Sequence, residues 1–385
     1  SFKTTAGASD NPPGRKRSMK IVGAEAIPIR IPLKKPFTIA LGTLTHTNHV
    51  LVRMTDDEGR VGWGETTTFH SVYGYDQKSL VNVLTDHLIP AVLGLDPRDR
   101  VALHQRMELA IPFNTMAKTG IDLATYDLIA QAAAAPIHAL IGGARVEQVP
   151  VVGVVDIVAP PQAEAMAKNL VDRGYRVVKV KIGLDAQQDL QRVQSVRKAV
   201  GDGIRIRVDG NQGYDRATAM WVFARMEEVG LEWIEQPLPH WDLEGLQALC
   251  QRLDTPVAVD ESVHTPEDAM RVIRTDAADI VNIKVTKCGG IDRSQKIAAV
   301  CAAAGIPCYV GGCIETHPGV AASVHFYAAT PNIVSAAELR AESAYVDDVV
   351  AAPLAEVDGA IALPKGSGLG VVVDEEKVAR YRASF

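Results

Sequence analysis

Cysteine is scarce in this chain and shows no pairing pattern. Five cysteines in 385 residues lie at scattered positions, and no two form a C-x-x-C. The odd count and the spacing argue against a disulfide framework or a zinc knuckle and fit a reducing, cytoplasmic setting. No apolar run reaches the ~20 residues that a membrane span requires. The opening residues, SFKTTAGASDNPPGRKRS, lack the apolar stretch of a secretory signal. They read as a disordered leader over residues 1–18, with structure beginning near Met19. A basic field is missing as well: the net charge is −6, which argues against a nucleic-acid partner. No G-x-G-x-x-G follows the first strand-like runs of the second half, so an open doubly wound sheet is only the runner-up architecture.

What is present is the composition of a soluble enzyme-sized protein, 47% hydrophobic and 22% charged. From Lys20 to about Glu65 the pattern is strand-like. HVLVRMTDDEGRVGWGE reads as a hairpin turning at Asp56, Asp57, Glu58 and Gly59. From about Lys78 to Gly142 it becomes helical and alanine-rich. Strands followed by helices predict an α+β capping domain over residues 19–145. After Val149 short apolar runs recur every 25 to 30 residues or so, the length of one βα unit. They are VPVVGVV, RVVKVKIG, IRIRVDG, LEWIEQ, PVAVDE, DIVNIKV, IPCYVGG and NIVSAAE, with helical stretches between them that often end in Gly. Eight such runs predict a closed (β/α)8 barrel of the TIM type over 146–346. The rest, 347–385, lacks a further unit and is expected to return to the capping domain.

In such a barrel chemistry sits at the C-terminal ends of the strands. The second run carries Lys179 and Lys181 on one face, which raises the question of why an apolar strand aims two ammonium groups at one place. The third ends in Asp209 and Asn211, the fourth in Glu235, the fifth in Asp260 and Glu261, and the sixth in Lys284 and Lys287. The seventh is followed by Cys313, Glu315 and His317, and the eighth ends in Glu338 and Arg340. Asp209, Glu235 and Asp260, from consecutive strands, would repel unless a cation joined them. Oxygen-only ligands suit a hard divalent ion, Mg²⁺ or Mn²⁺. Lys181 and Lys284 would flank that ion, and Lys179 would ease proton loss from Lys181. Each residue alone has a plainer reading. A lone lysine is usually solvated, and a lone aspartate often caps a helix; for the helix starting near Pro266, Thr265 is a better cap than Asp260. It is the joint pattern that exceeds accident.

KVKIG, VDGNQG, WIEQP, VDES and NIKVTKCGG, in this order, resemble the enolase superfamily. Within it they resemble the muconate-lactonising enzyme subgroup (mandelate racemase/muconate cycloisomerase-like), whose second strand carries Lys-x-Lys. The resemblance runs from Lys20 almost to the end and includes GWGE (Gly62 to Glu65) and PKGSGLGV. It implies a capping domain over a modified barrel, often as homo-oligomers, with Asp209, Glu235 and Asp260 binding Mg²⁺. It also implies Lys181 and Lys284 as the acid/base pair and Lys179 as an auxiliary lysine. The shared step is abstraction or delivery of a proton α to a carboxylate through an enediolate, in isomerases of small-molecule carboxylates. Loops TIALGTLTHT and HSVYGYD, the latter with Tyr75, are expected over the site. GETTTFHSVYGYD is similar to muconate cycloisomerases, and PLKKPFTIALGT to dipeptide epimerases. Those epimerases usually carry Asp-x-Asp after the eighth strand to hold a substrate ammonium. Here that place reads Glu338-Leu339-Arg340, which suits either a second anionic group or a plain surface ion pair. Glu315 matches a glutamate of muconate-lactonising relatives. The expected activity is a muconate-type cycloisomerase. An epimerase or racemase of dipeptides or N-substituted amino acids, or a syn-dehydratase, is the alternative. A metal-free Schiff-base lyase using Lys181 and a non-catalytic barrel stand as readings of another class.

Overall fold

Lys20 to Thr68 forms the predicted strands. In the computed structural model, which describes residues 19–340 and 344–385, three antiparallel strands run in chain order: β1 (Ile21–Ile39), β2 (Gly42–Asp56) and β3 (Val61–Thr68). The leader expected over 1–18 lies outside the described residues. Alternation drives the sheet: Ile27, Ile29, Ile31, Leu33 and Phe37 of β1 are all buried. The β2–β3 turn is held by Asp56, whose Oδ1 accepts from the backbone N–H groups of Glu58 (3.0 Å) and Arg60 (2.8 Å). The long helix Thr115–Ala132 packs on this sheet. The glycines of GWGE permit its approach: a Cβ at Gly64 would sit 2.1 Å from the Gly120 carbonyl oxygen, and one at Gly62 2.4 Å from that of Ala124.

Glu65, which closes GWGE, fastens the capping domain to the barrel. Its carboxylate accepts from Thr316 N (2.8 Å), Thr316 Oγ1 (2.6 Å) and Gly319 N (2.9 Å) at the start of the helix His317–Ala329. It also pairs with buried His49 at 2.9 Å. A carboxylate from another domain thus satisfies the free N–H groups that every helix start leaves.

After β4 (Gln148–Pro150) come seven strands that form one parallel sheet in chain order. They are β5 (Gly153–Val155), β6 (Val177–Lys181), β7 (Arg205–Asp209), β8 (Trp233–Glu235), β9 (Val257–Val259), β10 (Ile280–Ile283) and β11 (Cys308–Val310). Each strand is buried throughout except at Arg205, as expected for a sheet covered by helices. The eighth predicted strand is not one. Asn332–Glu338 closes the ring through isolated parallel bridges, Cys308 to Ile333 and Val151 to Ala337, and through Glu338 N donating to Val310 O at 2.8 Å. Ser335 explains the interruption: its φ is +61°, incompatible with an extended run, and its hydroxyl is clamped by Arg207 and Glu232. Beneath the barrel, the Arg207 guanidinium lies 3.6 Å from the Trp233 ring centroid and plugs the end away from the predicted site.

The C-terminal residues touch both parts. β12 (Glu356–Val357) and β13 (Ala360–Ala362) extend from β4, while Arg382 bridges Ile29 of β1 after the helix Glu375–Tyr381. Among the described residues, no helix is long and apolar enough to cross a membrane.

Candidate active site

The register of the sheet sets the site. Lys181 pairs with Asp209, and Asp209 with Glu235, so three functional groups share one level at the strand ends. Asp260 follows β9 directly and Lys284 follows β10. Thr265, not Asp260, caps the helix Pro266–Arg274, in a capping box with Asp268. Asp260 is therefore free for the barrel mouth.

On the β6–β8 side the Lys179 ammonium lies among three buried carboxylates, 2.9 Å from Asp209, 2.7 Å from Glu235 and 2.5 Å from Glu338. Lys181 meets the same Asp209 oxygen at 2.6 Å and Glu338 at 3.7 Å. The two lysines are thus not left to repel each other, as the sequence suggested; shared carboxylates join them. Burial pulls the Lys179 ammonium down, but Asp209, Glu235 and Glu338 together hold it well above the usual lysine range. Burial likewise raises Asp209 and Glu338, and in both the lysines outweigh it, leaving these carboxyls below their ordinary values. Glu235 moves the other way, raised by burial and then by Asp209.

Across the mouth, Asp260 meets Lys284 at 2.6 Å and Lys287 at 2.8 Å. Lys287 also donates to the backbone carbonyls of Asp260 (2.5 Å) and Asn282 (3.2 Å). Burial opposes ionisation of Asp260, yet the two ammonium groups keep its carboxyl well below the usual range. Burial and the Asp260 charge push neighbouring Glu261 up to about 8.

The expectation that Asp209, Glu235 and Asp260 gather around one ion is met only in part. The carboxylates whose oxygens lie within 4.8 Å of one another are Asp209, Glu235 and Glu338. Asp260 is not among them; it pairs with Lys284 and Lys287 instead. The donor chemistry nonetheless fits a hard divalent cation. Glu235 Oε2 and Asp260 Oδ2 are buried and accept no hydrogen bond, although ammonium groups lie 2.7 and 2.6 Å away off the hydrogen-bond direction.

Lys181, Lys284, Asn211, Glu338 and Arg340 line one cavity, together with Phe37, Tyr73 and Cys313. Asn211 also donates to Glu261 at 3.3 Å. Glu261 and Glu315 are buried behind the cavity and do not line it. Burial raises Glu315 to about 7, with backbone donation from Cys313 N acting against it. Tyr75 is not at the site; it packs on the capping-domain core, and the loop turns Tyr73 inward instead. Tyr73 OH lies 3.0 Å from Lys284 Nζ.

Three positioning residues lie within the motifs WIEQP and NIKVTKCGG, although the sequence assigned them no role. Gln236, at a strained φ of +31°, accepts from Asp260 N at 2.9 Å. Asn282 donates to Glu235 Oε1 at 2.9 Å, and Lys287 anchors Asp260. Gln236 follows the strand-end acid Glu235, and Asn282 and Lys287 flank Lys284; that adjacency was the available signal.

Residues 22–142 match the model of the mandelate racemase/muconate lactonizing enzyme N-terminal domain, and 162–377 that of the enolase C-terminal domain-like family. The chain is 35% identical to an L-Ala-D/L-Glu epimerase of Bacillus subtilis (strain 168) over 357 residues, 92% of this chain and 97% of that protein. It is 32% identical to muconate cycloisomerase 1 of Rhodococcus opacus over 367 residues, 94% and 98% of the two chains. A solved dipeptide epimerase of Enterococcus faecalis V583, complexed with Mg and the dipeptide L-Leu-L-Tyr, superposes with a TM-score of 0.87 at 31% identity. That match covers 92% of this chain and 99% of the other. The chain belongs to the mandelate racemase/muconate lactonizing enzyme family of the enolase superfamily, and it is an isomerase of that superfamily, a cycloisomerase or a racemase/epimerase.

Proposed function

We propose that this isomerase moves a proton at the carbon next to a substrate carboxylate, with Lys181 and Lys284 acting from opposite faces, so that it racemises or epimerises that centre. The observation that carries this reading is the placement of the two lysines. β6 and β10 stand four positions apart around an eight-position ring, and both lysines line the same cavity. One lysine takes the α-proton while the other delivers one to the opposite face. Mg²⁺ is the proposed cofactor, held by Asp209, Glu235 and Asp260. Glu338 is committed to Lys179 by a 2.5 Å hydrogen bond, whereas Glu235 and Asp260 each keep a buried oxygen without one. A divalent ion bound there stabilises negative charge on the substrate carboxylate as the α-proton leaves. Asn282 and Gln236 orient Glu235 and Asp260, and Lys287 fixes Asp260 from behind.

A second reading, muconate-type cycloisomerisation, needs only one of the lysines. It is favoured by the cavity's charge. Among the described residues its one lining carboxylate is Glu338, already engaged by lysines, so nothing there awaits the ammonium of a dipeptide.

The test is α-proton exchange in D₂O, followed by NMR over a panel of carboxylates, dipeptides and N-acylamino acids, with muconate assayed alongside for lactone. Lys181→Ala and Lys284→Ala should each lower exchange by roughly 10²-fold or more, each with one enantiomer of the substrate affected first. Exchange that persists in both variants refutes the two-lysine assignment. Calorimetry with Mg²⁺ on Asp260→Asn and Glu338→Gln decides the third ligand: the larger loss of affinity should fall on Asp260→Asn.

A further inference from the structure

The two lysines that reach the cavity are carried on different kinds of backbone. Lys181 is the last residue of β6 and lies inside the ladder: it pairs with Asp209 of β7, and Ile182 N donates to Asp209 O at 3.0 Å. Lys284 directly follows β10, in a buried turn that leads into the helix Ile291–Ala303. Within the turn, Lys284 O accepts from Lys287 N (3.0 Å) and Cys288 N (2.9 Å), and Val285 O accepts from Gly290 N (3.0 Å). Such local bonds give a turn its shape but not its seat on the barrel.

The capping domain supplies ties that seat it. The Thr119 hydroxyl donates to Thr286 O at 2.8 Å, and Thr67 N of β3 donates to Thr286 Oγ1 at 3.3 Å. Asp122 Oδ2 accepts from Ile291 N at 2.7 Å and so caps the helix after the turn, whose own N-cap residue, Gly290, has no side chain to do it. Thr119 and Asp122 are three apart on the helix Thr115–Ala132, share one face of it and are fully buried. Gly290 leaves the room: its φ is +95°, and a Cβ there would run into the Asp122 carboxylate. Asp122 is itself clamped by Arg100, with His104 Nε2 3.0 Å away, and the Arg100 guanidinium lies 4.1 Å from the Tyr126 ring centroid. Burial opposes its charge, but Arg100, His104 and the Ile291 N–H outweigh it, so the carboxyl stays below its ordinary value.

We infer that Thr119 and Asp122 are positioning residues for the reaction: through the backbone of the turn they set where Lys284 stands over the cavity. The inference rests on the reading that Lys181 and Lys284 exchange the α-proton from opposite faces. Tyr73 steadies the tip of the Lys284 side chain, and the Thr119–Asp122 pair fixes its base. Neither residue lines the cavity, so each acts through Lys284 alone. A small shift of the turn misaligns the ammonium with a proton on one face of the substrate, while β6 keeps Lys181 in register with the sheet.

The experiment measures α-proton exchange in D₂O by NMR, in the Mg²⁺-supplemented protein, for both enantiomers of those N-acylamino acids and dipeptides of the panel that exchange. The Lys284 face is the one whose exchange Lys284→Ala abolishes. Thr119→Val keeps the shape and removes the hydroxyl; it should slow exchange from the Lys284 face about tenfold, in kcat and not in KM, and change the Lys181 face less than about twofold. Thr119→Ser restores the donor and should return the ratio of the two rates toward the wild-type value. Asp122→Asn keeps an oxygen for Ile291 N but gives up the charge that Arg100 clamps, and should move the ratio in the same direction by a smaller factor. Equal slowing of both faces, an unchanged ratio in Thr119→Val, or a changed ratio that Thr119→Ser does not restore overturns the positioning role and leaves the two-lysine chemistry standing. Should Thr119→Val fail to fold, an unchanged ratio in Asp122→Asn overturns it equally. Absence of exchange with every member of the panel overturns the two-lysine reading, and the positioning role with it.

Discussion

The two sides of the barrel mouth balance charge in opposite ways. On the β6–β8 side one ammonium, Lys179, serves three carboxylates, Asp209, Glu235 and Glu338. On the β9–β10 side one carboxylate, Asp260, serves two ammonium groups, Lys284 and Lys287. The first side is short of positive charge and the second short of negative charge. In the proposed reading this contrast would draw a cation toward Asp209 and Glu235 and an anionic substrate group toward Lys284. The same contrast separates the lysines by role. Lys179 and Lys287 are fully buried and set the local charge, whereas Lys181 and Lys284 reach the cavity.

This comparison is broken most forcefully by removing one buried ammonium from each side. Lys179→Met leaves three carboxylates with only Lys181 near them. It should cost about 3–5 kcal/mol, the usual result of stripping the partner from buried charges. Lys287→Met leaves Asp260 paired with Lys284 and should cost about 1–3 kcal/mol, mostly through the lost hydrogen bonds to two backbone carbonyls. Urea denaturation of both variants gives the difference. Millimolar Mg²⁺ should restore more stability to Lys179→Met than to Lys287→Met, since ligand that binds the folded state stabilises it by mass action. Equal losses, or equal rescue, would mean that the two sides are not opposites.

Much of this contrast was legible in the strand ends, and the reason is geometric. A barrel strand buried on both faces leaves few positions for polar residues, so Lys179, Lys181, Asp209, Glu235 and Asp260 stood out against valine and isoleucine. Which charge neutralises which was not legible. Lys284 and Lys287 are three apart in one segment, and only the turn after β10 decides that both bend onto Asp260. Glu338 was visible as the polar end of an apolar run, but its place beside Asp209 depends on a ring closed by bridges around Ser335, which no periodicity encodes. The loop from His70 to Asp76 offered two tyrosines. A four-residue helix ending at Gly74 in the left-handed region aims Tyr73 at the site and turns Tyr75 toward the capping core. The hairpin turn at Asp56 and the Thr265 cap were legible because their side chains bond to backbone a few residues away.

Between the two sides, under the capping domain, Glu315 offers a control with a pH signature. Burial raises its carboxyl to about 7 from an unfolded value near 4.5, and Glu65 adds to the effect. The folded protein therefore binds more protons than the unfolded one between those values, so stability falls as pH rises through that window and levels off above about 7. The loss should be on the order of 3 kcal/mol. Glu315→Gln should flatten the profile between pH 5 and 7 when the unfolding free energy is measured at each pH. A slope of the opposite sign in the wild type, attributable to this residue by its loss in the variant, would show Glu315 ionised in the fold.

The smallest expected effect sharpens the β9–β10 side. Tyr73 brings a hydroxyl from the capping domain to 3.0 Å from Lys284 Nζ, and its ring stands edge-on to His264 with centroids 5.6 Å apart. Lys284 is thus held by Asp260 from the barrel and by Tyr73 from the cap, while Lys181 has carboxylates alone. Tyr73→Phe keeps the ring and removes one hydrogen bond, so stability should change by only about 0.5–1.5 kcal/mol. Proton transfer should suffer asymmetrically. Exchange of the enantiomer whose α-proton faces Lys284 should slow several-fold, and exchange from the Lys181 face should barely move. Stereospecific exchange rates in D₂O for both enantiomers read this directly. Equal slowing on both faces would place Tyr73 on the substrate instead of on the lysine, and the asymmetry between the two lysines would then rest on Asp260 and Lys287 alone.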